Sequence, residues 1–310
     1  FAMKPLFSGV GTALVTPFAL DDTIDFDLYG RLIDRQIDAG ISALIVCGTT
    51  GEPATMSEAE QDAVIGYATS RAAGRAKVIA GVGGNDTRRV CRRAQTAKKL
   101  DADAILAVTP YYNKTSQAGL IEHFTRVADA AELPVVLYNV PSRTGLNLLP
   151  ETAMRLAGHP FIVALKEANP DLHQMTEGAR LLGGKMTVYS GNDEHTFTAL
   201  ALGAAGVISV ASNLVPEAMK AVTDAFFAGD IDASRNLQLQ LNPLIDALFL
   251  EVSPVPVKEA LARIGLGNGK TRPPLVPMGD AGREKLFAEM TNWFHEVPHT
   301  AENGVYGKNG

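Results

Sequence analysis

Lys166 stands where an apolar run ends. In Phe161–Pro170, FIVALKEANP, four apolar residues from Ile162 to Leu165 lead straight into Lys166 and Glu167. An ammonium ringed by apolar walls at the end of a buried strand loses hydration. The neutral amine that this favours is a nucleophile for a carbonyl. A lysine that snorkels from a strand end into solvent has the same local sequence, so position alone leaves both readings open. Lys258, in PVPVKEAL, also follows apolar residues, but it falls at a predicted helix start, where a structural role is expected. Lys77 precedes its apolar run and belongs to the opposite end of any strand it begins.

Other residues that could carry chemistry recur after similar runs. Gly48-Thr49-Thr50-Gly51-Glu52 follows ALIVC, and Thr109-Pro110-Tyr111-Tyr112-Asn113 follows AILAV. Tyr138 begins a stretch that reaches Arg143 and Gly145, while Ser190-Gly191-Asn192-Asp193 and Ile208-Ser209 end two later runs. A phenol such as Tyr138 could move protons beside an amine, or be a core tyrosine with a satisfied hydroxyl. The glycine-flanked turn at Thr49 and Thr50 could present N–H groups and hydroxyls to a carboxylate, or simply cap a helix. Arg143 offers a bidentate fork for a carboxylate; an exposed loop arginine reads the same. Glu52 reads as a helix-start acid and Glu167 as a supporting one. The six histidines show no ligand spacing such as H-E-x-x-H, so no metal is expected. No nucleotide motif is present, and Gly83-Gly84 alone is not a phosphate cradle.

Positioning these groups falls to eight short apolar runs. They are Gly11–Phe18, Ala43–Gly48, Lys77–Val82, Ala104–Thr109, Val135–Val140, Ile162–Ala168, Thr187–Gly191 and Gly206–Val210. Runs that are apolar nearly throughout suit parallel strands covered on both faces. Amphipathic segments lie between them. Asp27–Gly40 places Leu28, Leu32, Ile33 and Ile37 on one face and ends in a glycine stop. Ser57 with Glu60 forms a capping-box pattern, and Thr87–Leu100 has a basic, solvated face. Eight strand–helix units predict an α/β fold, a (β/α)8 TIM barrel over residues 1–229, with a doubly wound sheet as the runner-up. A small C-terminal helical domain is expected over 230–300 and a frayed tail over 301–310. In such a barrel the groups above converge on the mouth where the strands end.

Composition narrows the function classes. The chain has 310 residues, 46% hydrophobic and 20% charged, with a net charge of −6. That balance disfavours nucleic acid and anionic membranes as partners. Cys47 and Cys91 form neither a disulfide framework nor a zinc pattern, so reduced thiols and a cytoplasmic location are expected. The opening FAMKPLFSGV lacks the order of charge and apolar core of a signal peptide. The most apolar window, Phe197–Val210, is too short and glycine-rich to span a bilayer and reads as a helix followed by a strand.

GTTGE, TPYYN, YNVPSRTG, LKEA, SGND and GVISV occur in this order between about Phe7 and about Phe294. Together they resemble the dihydrodipicolinate synthase family. LKEA and GTTGE alone mark the wider pyruvate-dependent class I aldolases, which include N-acetylneuraminate lyase. The resemblance implies that Lys166 forms a Schiff base with pyruvate, with no organic cofactor. It makes Thr49, Tyr138 and Tyr112 a hydroxyl relay, with Tyr112 supplied by a neighbouring subunit of a homo-oligomer, commonly a tetramer built as a dimer of dimers. Thr50 would bind the pyruvate carboxylate, with Gly191 and Ile208 completing the substrate site. Arg143 would receive the carboxylate of aspartate 4-semialdehyde, on the diaminopimelate route to lysine. Tyr111, Asn85 and Ala54 match the family's lysine-effector site, but Arg89, Glu58 and Gln61 depart from the regulated pattern. An arginine facing a lysine ammonium is repulsive, so weak or absent lysine feedback is expected.

Three alternatives share parts of this set. A sister aldolase or lyase acting on a keto-sugar acid would keep the lysine but want neutral hydroxyl contacts where Arg143 suits a short acid. A non-catalytic keto-acid-binding barrel predicts a damaged relay, yet every relay position is filled. A pyridoxal-phosphate barrel needs a phosphate cradle, and the seventh and eighth runs show no clear one.

Overall fold

In the computed structural model, which describes residues 4–296, the eight apolar runs are eight parallel strands closed into a barrel. The first half contains β1 (Gly9–Ala13), α1 (Phe26–Asp38), β2 (Ala43–Val46), α2 (Glu58–Ala72), β3 (Lys77–Gly81), α3 (Thr87–Lys99), β4 (Ala104–Val108) and α4 (Gln117–Ala131). The second contains β5 (Val135–Asn139), α5 (Pro141–Thr144), α6 (Pro150–Leu156), β6 (Ile162–Glu167), α7 (Leu172–Leu182), β7 (Thr187–Ser190), α8 (Thr196–Ala201), β8 (Gly206–Ser209) and α9 (Pro216–Phe227). Three helices follow: α10 (Ile231–Ala247), α11 (Val255–Arg263) and α12 (Asp280–Glu296). Each strand pairs with the next and β8 returns to β1, so the sheet has no edge. The expected frayed tail lies outside the described residues.

Seven runs begin where the sequence places them and end one or two residues early, because the last residues turn into the mouth. The first run differs more. Its strand is Gly9–Ala13, not Gly11–Phe18. Val15 leaves the ladder to donate its N–H to the Asn213 side chain at 3.1 Å, and Thr16 donates its hydroxyl to the Gly51 carbonyl at 2.8 Å. Pro17 has no N–H to offer a ladder.

The helices start where local chemistry directs them. Ser57 accepts from the Glu60 N–H at 3.2 Å while the Glu60 carboxylate accepts from the Ser57 N–H at 2.8 Å. This reciprocal cap satisfies two orphan donors and is worth about 1 kcal/mol. Asp25 and Asp171 cap α1 and α7 one way, their carboxylates accepting backbone N–H groups of the first turn. Within the barrel, the Phe7 ring stacks on Tyr189 with centroids 4.2 Å apart, and the Tyr189 hydroxyl donates to the Phe7 carbonyl at 2.7 Å. Gly11 makes room for this plug, since a Cβ there would lie 2.8 Å from the Phe7 ring. Among the described residues no helix is long and apolar enough to cross a membrane.

Candidate functional site

Strand register brings the first two site residues together. Tyr138 on β5 pairs with Lys166 on β6, and Lys166 pairs with Tyr189 on β7. Residues in register on neighbouring strands share a face of the sheet. Tyr189 holds the Phe7 plug, so this row faces the barrel interior. Lys166 and Tyr138 are 5% and 6% exposed, and the Lys166 amine lies 4.3 Å from the centre of the Tyr138 ring. The ring face attracts an ammonium by about 0.5–2 kcal/mol. Among the described residues the Lys166 amine has no hydrogen bond and no carboxylate partner.

The opposite face of the same strands holds a polar cluster. Asn139 pairs in register with Glu167 and donates to its two carboxylate oxygens at 2.9 and 3.2 Å. Gln174 of α7 donates at 3.0 Å, and the Asn169 backbone N–H at 2.8 Å. Asn147 ties both amides together, accepting from Asn139 at 2.8 Å and from Gln174 at 3.1 Å. Burial pushes the Glu167 carboxyl up to about 7, against the lowering effect of these N–H groups.

Thr49 and Thr50 lie on a tight 3-10 turn, Thr49–Gly51, flanked by Cys47 and Glu52 in left-handed conformation (φ 54° and 56°). Such conformations cost non-glycine residues of order 1 kcal/mol each and persist where surroundings hold them. Here the holder reaches across from the C-terminal helices. Glu52 forms a buried ion pair with Lys258 of α11, and the Arg272 N–H donates to the Glu52 carboxylate at 3.2 Å. Lys258 also donates to the Lys270 carbonyl at 2.9 Å and lies 4.2 Å from the Phe18 ring centre. Burial pulls the Lys258 ammonium down to about 8, opposed by Glu52. Thr50 is buried and Thr49 half-buried. Glu52 thus differs from the expected helix-start acid, because its side chain turns to Lys258 instead.

The remaining site residues distribute around the mouth. Arg143, on α5, is exposed and donates to the Ser253 carbonyl at 3.2 Å. Gly191 donates its N–H to the Glu167 carbonyl at 2.6 Å, and a Cβ there would meet Ala168 at 2.6 Å, so only glycine permits the approach. Ile208 is fully buried on β8. Asp193 accepts from the Val210 and Ala211 N–H groups at 2.9 and 3.0 Å, fixing the turn after β8; burial raises its carboxyl. Tyr112 is the exception: the residue is 91% exposed and its φ is 71°. One chain therefore does not bring Tyr112 onto Lys166.

The residues expected at a lysine-effector position lie on α2, α3 and two mouth loops. Asn85 donates to the Tyr111 carbonyl at 3.2 Å and accepts from Asn113 at 2.9 Å. Arg89 pairs with Glu58 at 2.9 Å. The Gln61 side chain donates to the Pro53 and Met56 carbonyls at 2.9 and 3.1 Å. Two features escape sequence reasoning: the Glu52–Lys258 pair and the Asn139–Glu167–Gln174 cluster. Each links residues far apart in the chain, and uncharged amides carry no periodic signal. The one clue was an apolar run leading into Lys258.

Residues 6–292 match the model of the dihydrodipicolinate synthetase family. A 4-hydroxy-tetrahydrodipicolinate synthase of Caldicellulosiruptor bescii is 48% identical over 288 residues, covering 93% of this chain and 97% of that protein. The crystal structure of a dihydrodipicolinate synthase from Thermotoga maritima superposes with a TM-score of 0.92 at 41% identity, covering 94% of this chain and 99% of that one. That from Acinetobacter baumannii, solved in complex with pyruvate, gives 0.91 at 40% identity, covering 93% and 99%.

Proposed function

The chain belongs to the dihydrodipicolinate synthetase family, and on that premise we propose how it works as a 4-hydroxy-tetrahydrodipicolinate synthase, condensing pyruvate with aspartate 4-semialdehyde through Lys166. Its activity is that of a class I aldolase-type lyase in the lysine and diaminopimelate route. The observation that carries the assignment to Lys166 is a buried amine at a strand end, beside a tyrosine, with no partner to give up among the described residues.

The Lys166 amine adds to the keto carbon of pyruvate, and loss of water gives the iminium. Loss of a methyl proton gives the enamine, whose carbon attacks the aldehyde of the semialdehyde. The semialdehyde's amino group then closes on the imine carbon and releases Lys166. Tyr138, stacked under the amine, and Thr49 move protons to and from these intermediates. Thr50 holds the pyruvate carboxylate, with Gly191 and Ile208 bounding the site, and Arg143 receives the second carboxylate. Lys166 is itself the covalent catalyst, so this course calls on no organic cofactor.

Tyr112 completes the relay from a second copy of the chain. Its exposed ring on a left-handed backbone supports that placement, and a homotetramer arranged as a dimer of dimers is the assembly we propose. Free Cys47 and Cys91 suit the reducing cytoplasm in which the reading places the enzyme.

A coupled assay tests this. Pyruvate and aspartate semialdehyde are supplied with a dihydrodipicolinate reductase and NADPH, and NADPH loss is followed. Pyruvate with N-acetylmannosamine is run in parallel, and Lys166→Ala serves as control in both. Turnover with the semialdehyde alone, lost in Lys166→Ala, is expected. Turnover only with the amino sugar would overturn the substrate assignment, and a fully active Lys166→Ala would overturn the role of Lys166.

A further inference from the structure

We propose that Glu167 is a positioning residue for Lys166, acting from the outer face of the barrel as a carboxylate clamp on the ends of β5 and β6. The proposal rests on the reading of Lys166 as the nucleophile. Consecutive strand residues face opposite sides, so Glu167 never enters the mouth. Instead, the outer pair Asn139–Glu167 lies directly behind the inner pair Tyr138–Lys166, in the same register.

The clamp is built for a carboxylate. Every polar contact made by the Glu167 carboxyl is with a donor: the Asn139 amide, the Gln174 amide and the Asn169 N–H. Among the described residues the groups facing it are uncharged. Asn139 comes from β5, Asn147 and Leu148 from the segment before α6, Gln174 and Met175 from α7, and Val188 and Ser190 from β7. The amides are themselves fixed, because the Leu148 N–H donates to the Asn139 oxygen at 2.9 Å and Asn147 donates to the Gln174 oxygen at 2.7 Å.

Protonation of Glu167 weakens this arrangement. Its O–H takes up acceptor capacity that the four N–H contacts use, which favours an amide turning over or the side chain shifting. There is room to leave. A cavity of about 310 Å³ between α7 and α8 is lined by Glu167 and Gln174 together with Leu165, Met175, Leu182 and Leu202. Release would free Asn139, the chain neighbour of Tyr138, and loosen the strand end that aims Lys166. Burial brings this event to about neutral pH. A displacement of a fraction of an ångström at a reacting amine is enough to slow attack about tenfold.

The test measures the rate of pyruvate adduct formation on Lys166, trapped with borohydride and read by mass spectrometry, from about pH 5.5 to 8.5. The parent chain, Glu167→Gln and Gln174→Leu are compared. The ratio of parent to Glu167→Gln rates is expected to rise from about one at low pH to about ten at high pH, with a midpoint near 7. Gln174→Leu removes one donor from the carboxylate and is expected to move the midpoint up by about one pH unit. A residue that only supports the fold would slow the reaction equally at all pH values. A ratio independent of pH, or a midpoint unmoved in Gln174→Leu, overturns the proposal. If Glu167→Gln fails to fold, the midpoint shift between parent and Gln174→Leu decides alone. A parent chain that forms no adduct at any pH refutes the role of Lys166 instead.

Discussion

Among the described residues two lysine–glutamate couples are buried, and the fold treats them in opposite ways. Lys166 and Glu167 are adjacent in sequence and never meet, because a strand sends consecutive side chains to opposite faces. Glu52 and Lys258 lie in distant parts of the chain and form an ion pair. Burial does not separate the cases: the lysines are 5% and 4% exposed, and the glutamates 6% and 4%. Aromatic contact does not separate them either, since each amine lies just over 4 Å from a ring centre, at 4.3 and 4.2 Å. The partner makes the difference. Lys258 is held by a carboxylate and a carbonyl and would have to break both contacts to attack anything. Among the described residues Lys166 has no hydrogen bond or ion pair to release.

Substituting the two lysines by methionine, which keeps the aliphatic stem, is the sharpest way to break this comparison. Lys166→Met is expected to lower turnover by at least about 10³-fold while changing stability by less than about 1 kcal/mol. Lys258→Met is expected to do the reverse. It strands the Glu52 carboxylate without its cation, which costs about 3–5 kcal/mol, yet its folded fraction should still form the borohydride-trapped adduct. Adding Glu52→Gln to Lys258→Met should recover most of that loss, because removing both charges of a buried pair is close to neutral. Denaturant titrations and the coupled assay on the same samples decide. A Lys166→Met that unfolds, or a Lys258→Met as stable as the parent, would erase the distinction.

The two glutamates extend the comparison to pH. Glu167 has no cationic partner among the described residues, and burial pushes its carboxyl up to about 7 in the folded chain against about 4.3 when unfolded. Between those values the folded chain holds a proton that the unfolded chain has lost, so stability falls as pH rises across the window. Below about 4 both states are protonated. Above about 7 the full cost of the buried charge is present, of order 3 kcal/mol. Denaturation midpoints of the parent and Glu167→Gln at pH 5 and pH 8 test this. The parent should lose stability relative to the variant between the two, and parallel behaviour would remove Glu167 as the source.

What could be read in the sequence follows the range of the interactions. Alternating apolar runs and capped amphipathic segments are local, so the eight strands and the Ser57–Glu60 cap were legible to within a residue or two, apart from the first strand. That strand was displaced because Val15 and Thr16 bond to Asn213 and Gly51, partners that no local pattern announces. The pairing of Tyr138 with Lys166 was legible as neighbouring strand ends. The amide cluster behind them was not, since it draws on β5, the segment before α6 and α7 at once. Lys258 was legible as structural, but its partner was not, because Glu52 looked like a local helix-start acid.

A third acid–base couple lies in water and sets the scale for the other two. Arg89 and Glu58 pair at 2.9 Å with side chains 54% and 51% exposed, so the pair contributes between nothing and about 1 kcal/mol. Its interest is positional, because both residues fall where the family resemblance places a lysine effector. A lysine ammonium arriving there would meet a guanidinium, and the nearby carboxylate is already engaged. Like charges about 4 Å apart near a surface repel by about 1–4 kcal/mol. The parent enzyme is therefore expected to keep most of its activity at sub-millimolar lysine. Arg89→Glu should exchange the repulsion for attraction and lower the half-inhibitory lysine concentration by about tenfold or more, with a stability change below about 1 kcal/mol. Inhibition curves for the two proteins, at one ionic strength because exposed charges are screened, read this directly. Strong inhibition of the parent, or identical curves, would mean that lysine does not meet Arg89, and that this exposed pair is as neutral for regulation as it is for stability.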